Sequence, residues 1–129
     1  MKRIVLYLIM VLMPFGLHAL YAETEGPADT VRSYFEALKN GDIGTMKQYI
    51  AGEYYEKYKT LFEKNEGYPE FLRNFYQGAE VAIVNSSKTG SDAIMEVEIY
   101  FPNGSNSVNR LRLRKYSDGT WKIVEEIFN

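Results

Sequence analysis

Two short segments, Phe101-Pro102-Asn103-Gly104-Ser105 and Tyr116-Ser117-Asp118-Gly119-Thr120, constrain the second half of this chain more than any other feature. Each has the form of a three-residue hairpin loop, with Asn or Asp followed by Gly where the backbone must turn left-handed. A tight reversal sets the register of the strands it joins. Closing the first loop with Phe101 opposite Ser105 puts Val97 opposite Asn109, Met95 opposite Leu111 and Glu96 opposite Arg110. Closing the second puts Leu113 opposite Ile123, Leu111 opposite Glu125, Asn109 opposite Ile127, Arg110 opposite Glu126 and Arg114 opposite Lys122. The two registers agree that Leu111 and Leu113 face the core, with the alternating Ala93, Met95, Val97, Ile99 and Phe101. This predicts a three-stranded antiparallel meander, preceded by a strand over residues 80–86.

The first half follows a helical period. Pro27 suits the first position of a helix. Val31, Tyr34, Phe35 and Leu38 then recur at i, i+3, i+4 and i+7 as one apolar stripe. Asn40-Gly41 ends that helix, and Asp42 can cap a second carrying Ile43, Met46, Tyr49 and Ile50. Residues 52–64 form a third, with Tyr54, Tyr55, Tyr58, Leu61 and Phe62 facing inward. Gly67 breaks it. Pro69 starts a short fourth helix with Phe71, Leu72 and Phe75, stopped by Gly78. Helices first and strands after give an α+β class.

The opening helix running into Ala37-Leu38-Lys39-Asn40-Gly41-Asp42, and the terminal strand Asp118-Gly119-Thr120-Trp121-Lys122-Ile123-Val124, give the chain a family likeness. It resembles the nuclear transport factor 2-like superfamily, in particular a bacterial exported branch of unknown function, over roughly residues 27–127. The resemblance implies a cystatin-like cone: N-terminal helices packed on a curved antiparallel sheet, with a pocket at the open end. It also implies a wide range of activities, from isomerases and dehydratases of the ketosteroid isomerase type and polyketide cyclases to non-catalytic binding or assembly domains. No catalytic residue carries over. Asp29, Asp42, Asp92 and Asp118 all read as helix-start or turn positions. The Tyr-rich helix also stands where an early strand pair is common in the family.

The N-terminus reads as an export signal. Lys2 and Arg3 precede an uncharged run from Ile4 to Leu17, and small residues at Ala19 and Ala22 precede Glu23. That run of 14 residues is shorter than the roughly 18 of a spanning helix. Residues 1–22 are therefore read as a signal peptide and residues 23–129 as one domain, periplasmic or secreted and without a stable membrane anchor. Cleavage takes Lys2 and Arg3 from the 15 basic residues, leaving 13 against 17 acidic. It also removes His18, the only histidine, from a chain without cysteine. The remaining domain has no imidazole base, thiol nucleophile or His/Cys metal cage. Its acidity argues against nucleic acid as a partner. No Gly-rich phosphate loop or nucleophile elbow is present, so no cofactor is expected.

Candidate site residues follow from the register. Asn109 and Glu125 face the core as diagonal neighbours on adjacent strands. A buried carboxylate is costly unless paired or protonated. Glu125 is thus either a pocket-floor base or ligand contact, or a structural acid satisfied by a Tyr hydroxyl, a helix N-terminus or water. Seven tyrosines crowd the helical half (Tyr34, Tyr49, Tyr54, Tyr55, Tyr58, Tyr68 and Tyr76), and one or two are expected to line a cavity. Tyr34 and Tyr58, with Trp121 of the terminal strand, complete the candidate ligand-binding set; no metal ligands are expected. Arg110, Arg112, Arg114 and Lys115 read as a solvated face partnered by Glu96, Glu98 and Glu126. Lys122 opposite Arg114 is an unexplained like-charge pair, a candidate small anion site at the sheet end. Three functions stay open: an exported non-catalytic module binding a small apolar ligand or a protein partner, a small lyase or isomerase using Glu125 as base, and a structural homodimer formed through the open sheet face.

Overall fold

Pro27 occupies the first helical position, and the N–H of Gly26 just before it donates to the Asp29 carboxylate at 3.2 Å. Helix α1, Pro27–Lys39, thus starts with its exposed backbone group satisfied. The computed structural model describes residues 26–128; the leader reading, with cleavage after Ala22, lies outside them. Helix α2 spans Ile43–Gln48, and Asp42 caps it by accepting from the Thr45 N–H and hydroxyl at 3.2 and 2.7 Å. Helices α3, Gly52–Lys64, and α4, Tyr68–Phe75, follow. The stripe of α1 is buried as its spacing requires: Val31, Tyr34, Phe35 and Leu38 all join the core.

The inward face of α3 is only partly buried. Tyr54 is buried, Tyr55, Tyr58 and Phe62 pack half-buried on the core, and Leu61 is half-buried outside that cluster. On α4 only Leu72 reaches the core, while Phe71 and Phe75 stay 55% and 52% exposed. Two rings so exposed on one short helix call for an explanation beyond packing.

Four strands follow: β1 Glu80–Thr89, β2 Asp92–Tyr100, β3 Asn106–Lys115 and β4 Trp121–Ile127. They form one antiparallel sheet in chain order. Both expected hairpins close. Phe101 N–H donates to the Ser105 carbonyl at 2.9 Å, and Tyr116 N–H to that of Thr120 at 2.8 Å. Gly104 and Gly119 take the left-handed turn positions. The β2–β3 register is the one the first loop dictates, with Val97 opposite Asn109, Met95 opposite Leu111 and Glu96 opposite Arg110.

The β3–β4 register departs from the sequence reading. Leu113 does face Ile123 and Arg114 faces Lys122, but the ladder then slips by one residue. Arg112 pairs with Glu125, Leu111 with Glu126 and Arg110 with Ile127. The expected pairs Leu111–Glu125, Arg110–Glu126 and Asn109–Ile127 are therefore replaced. The extra residue is Val124, a β-bulge, which lets Ile123 and Val124 both be buried in succession. Tertiary contacts hold the bulge. Ile123 donates its N–H to the Tyr49 carbonyl at 2.8 Å and accepts from the Ala51 N–H at 2.9 Å, tying β4 to the link between α2 and α3. Val124 in turn lies against Gly52 at the start of α3.

This slip reassigns the charges of the sheet. Glu125 sits on the outer face, 3.3 Å from Arg112, and Arg110 pairs with Glu96 at 3.3 Å. Arg114 reaches Asp92 at 3.9 Å, while the Lys122 ammonium lies 5.8 Å from the Tyr116 ring centre. The like-charge pair Arg114–Lys122 thus resolves into two separate contacts. The core lies between α1 and the inner sheet face. The buried Thr30 hydroxyl donates to the Trp121 carbonyl at 3.1 Å and pins the helix to β4.

Candidate functional site

The helices do not fill the hollow of the sheet. A cavity of about 330 Å³ remains between α1, α3, α4 and the inner faces of β2, β3 and β4. That is within the size range of small-molecule pockets. Helix α1 supplies Tyr34, Phe35 and Leu38; α3 supplies Tyr54 and Tyr58. Helix α4 and the residue after it add Tyr68, Phe71, Leu72, Phe75 and Tyr76. The sheet gives Ile99, Leu111, Asn109 and Glu126. The two exposed phenylalanines of α4 therefore have a place: they stand on the rim of this cavity.

The aromatic wall is continuous. The Tyr34 and Tyr54 rings meet edge to face at 5.8 Å, and Tyr54 meets Tyr58 at 5.0 Å. Phe62 bridges Tyr58 to Tyr68, and Tyr68, Phe71 and Phe75 then stack along α4. Phe75 closes edge to face on Phe101, beside the first hairpin loop. Each such contact contributes about 0.5–1.5 kcal/mol beyond burial alone, so the wall is stiff without being filled.

Polar groups are few and distinct. The Tyr34 and Tyr54 hydroxyls satisfy each other at 3.1 Å. Burial pushes the Tyr34 phenol far above its ordinary value, outweighing the opposing effect of that hydrogen bond. Burial does the same to Tyr54, with neighbouring Tyr34 and then more distant charges adding to it. Tyr68 is pushed up to about 12, again by burial first. Tyr76 rises for the same reason, reinforced by Tyr58 and by the Glu126 charge. These phenols remain neutral across the physiological range.

Among the described residues, Glu126 is the one formally charged residue on the cavity wall. Its side chain is only 16% exposed and meets the Lys57 ammonium, reaching across from α3, at 3.6 Å. The amide of Asn109 lies on the adjacent strand two residues from Leu111, the partner of Glu126. The two are diagonal neighbours on one face.

The structure thus brings together three of the five candidate residues, Asn109, Tyr34 and Tyr58. It places Glu125 on the other side of the sheet with Arg112, and the Val124 bulge puts Glu126 where Glu125 was expected. Trp121 is buried in the core away from the cavity, with the Lys88 ammonium 5.5 Å from its ring centre. Five tyrosines line the cavity rather than one or two. Glu126 had a readable signal: the apolar doublet Ile123-Val124 breaks the alternation of β4, as a bulge does. Among the described residues, no cluster of three or more His, Cys, Asp or Glu side chains is placed to hold a metal ion.

Among the described residues, four helices over a hollow antiparallel sheet, with an aromatic cavity between them, make this a nuclear transport factor 2-like fold. Solved structures agree. A Campylobacter jejuni protein described as an NTF2-like transpeptidase is 17% identical, with a TM-score of 0.60 over 78% of this chain and 99% of its own. An NTF2-like protein of unknown function from Shewanella baltica is 18% identical, with a TM-score of 0.56 over 79% of this chain and 88% of its own. A SEC-C motif containing protein from Rhodopseudomonas palustris is 19% identical at a TM-score of 0.53, covering 80% and 78%. At these identities the likeness is one of fold. Residues 21–124 match the family model described as Domain of unknown function (DUF4878), and the chain belongs to that family. No curated protein matches it.

Proposed function

We propose that the protein is an exported, non-catalytic binding module whose cavity holds a small, largely apolar ligand. The observation that carries this reading is the unfilled aromatic hollow of about 330 Å³ with two exposed phenylalanines at its rim. Leaving large rings in water is unfavourable unless something covers them. Among the described residues the wall holds no Ser, Thr, Cys or Lys, so they offer no acyl-transfer nucleophile of the usual kinds. The transpeptidase description of the Campylobacter neighbour therefore finds no support in this cavity. The version of the lyase or isomerase reading built on Glu125 has lost its residue to the outer face.

A neutral aromatic reporter, N-phenylnaphthylamine, tests the cavity. Its fluorescence is expected to rise saturably on titration with the protein. Replacing Phe71 and Phe75 together by Ala is expected to weaken binding about fivefold, equivalent to about 1 kcal/mol. Stability should fall by about 1–3 kcal/mol through the lost ring contacts with Tyr68, Tyr76 and Phe101, so binding is compared on folded protein. Glu125→Gln should bind as the unaltered protein does. Absence of saturable binding, or equal affinity in the Phe71/Phe75 variant, rules the cavity out as the site.

Export has its own test. Expressed in full in a bacterial host, the protein is expected in the periplasm with an intact mass that begins at Glu23. A cytoplasmic product that retains residues 1–22 refutes this half of the reading.

A further inference from the structure

We propose that the ligand this cavity is built for is an organic cation, a protonated or quaternary amine on an apolar body, whose charged end sits on Glu126. The inference rests on the cavity being a ligand site and specifies what that site takes. Three observations support it. First, among the described residues the wall is charged in one sense only: Glu126 contributes a carboxylate, and no Lys or Arg lines the cavity. An anionic ligand would meet a carboxylate and would have to compete with it for its one ion-pair partner, Lys57. Second, eight of the wall's residues are aromatic, and the negative quadrupole of a ring face attracts cations, most strongly where water is excluded. The Tyr34 and Tyr54 hydroxyls pair with each other, which leaves one of their two hydrogens for an anion.

Third, the protein already holds an ammonium group against the Glu126 carboxylate, in an adjoining hollow that shares Tyr54 and Glu126 with the cavity. Lys57 Nζ lies 3.6 Å from Glu126 Oε1, 5.4 Å from the centre of the Tyr58 ring and 5.0 Å from that of Phe128. A carboxylate and two ring faces around one ammonium is the environment that amine-binding sites provide. Lys57 enters from the surface of α3 with a side chain that is 50% exposed, on a long flexible stem. It can withdraw into water at little cost when a ligand ammonium takes its place. Glu126, only 16% exposed, has no such route to water. Empty, the site keeps its acid paired with Lys57; occupied, it pairs the acid with the ligand.

The experiment displaces bound N-phenylnaphthylamine with three competitors of matched shape: naphthylmethylammonium, naphthylmethanol and naphthoate. The ammonium is expected to displace the reporter at concentrations about tenfold lower than the alcohol, with naphthoate weakest. Glu126→Gln should reduce the ammonium's advantage to about threefold or less and leave the alcohol's affinity unchanged. Lys57→Met keeps the apolar stem but removes the resident charge, and should improve ammonium binding about threefold or more. If Glu126→Gln does not fold, the Lys57→Met comparison still decides. Equal displacement by ammonium and alcohol, with the reporter bound, overturns the cation assignment and leaves the cavity reading standing. No binding of the reporter, and none of the ammonium by calorimetry, overturns both.

Discussion

Above about pH 10 the protein is expected to lose stability steeply, and the largest part of the loss should trace to two residues. Tyr34 and Tyr54 are 2% and 6% exposed, and their hydroxyls are hydrogen-bonded to each other at 3.1 Å. Burial raises both phenols well above their ordinary value of 10.0. In the unfolded chain they ionise near that ordinary value. Between it and the folded values the native state holds more protons than the unfolded one, so stability falls as pH rises. The sign is that of any group whose folded pKa is raised: the stabilisation is whole below pH 10 and drains away above it. Each phenol contributes a slope of about 1.4 kcal/mol per pH unit, so the pair removes roughly 3 kcal/mol by about pH 11. That is a large share of the 5–15 kcal/mol typical of a whole domain. Denaturant unfolding curves across this range measure it. The control is the double variant Tyr34→Phe with Tyr54→Phe, which removes both partners of one hydrogen bond and leaves no orphan, a nearly neutral change. Its stability should stay flatter by about 3 kcal/mol per pH unit. Parallel curves for the two proteins would show that these phenols ionise in the folded state at ordinary values. Tyr34→Phe alone should cost about 1–3 kcal/mol at neutral pH, because it leaves the Tyr54 hydroxyl buried without its partner.

The contrast between the two hairpins shows which parts of this fold were legible in its sequence. Register is a local property where turn chemistry sets it, and at the loop of Pro102 to Gly104 the distant contacts of Phe75 and Gly78 leave the register unshifted. Asn109 could therefore be placed opposite Val97 on the core face from the residues alone. The second loop is equally local and sets Leu113 opposite Ile123. One residue later, β4 meets partners the loop knows nothing about: Tyr49 and Ala51 take the backbone of Ile123, and Gly52 receives Val124. Those contacts join segments about 70 residues apart, and they insert the bulge that exchanges Glu125 for Glu126. Because side chains alternate faces, a slip of one residue is enough to move the wrong acid into the cavity. Trp121 illustrates a different limit. The terminal motif that contains it is a sound guide to the fold because its ring is a core residue, and for the same reason it does not reach the cavity. The tyrosines were readable as an amphipathic set. How many would line a hollow depended on α4 standing off the sheet, which no helical period encodes. The position of α4 is a matter of how it meets the end of α1.

That meeting point gives the second large effect. Gly41, where the chain leaves α1, is buried and left-handed at φ 66°. A β-carbon there would collide with the Pro69 carbonyl oxygen at the start of α4, and would lie 2.9 Å from an Arg73 guanidinium nitrogen. Gly41→Ala therefore combines two penalties: roughly 1–2 kcal/mol for an L side chain in the left-handed region and about 1–3 kcal/mol of overpacking. Arg73 can swing aside, but a backbone carbonyl in the first turn of a helix cannot move without moving the helix. Gly90, in the turn between β1 and β2, separates the two penalties. Its φ of 60° is nearly the same, and a β-carbon there would meet nothing within 4 Å. Gly90→Ala should thus cost the backbone strain alone, while Gly41→Ala costs about 2–5 kcal/mol and lowers the melting temperature by at least about 10 °C. The two variants should differ in function as well. Displacing α4 moves Phe71, Phe75 and Tyr68 at the rim, so the part of Gly41→Ala that remains folded should bind N-phenylnaphthylamine more weakly, and Gly90→Ala should bind it normally. Equal destabilisation by the two alanines would mean that α4 yields freely to the new methyl group, and that the close approach of α1 and α4 does not set the mouth of the cavity.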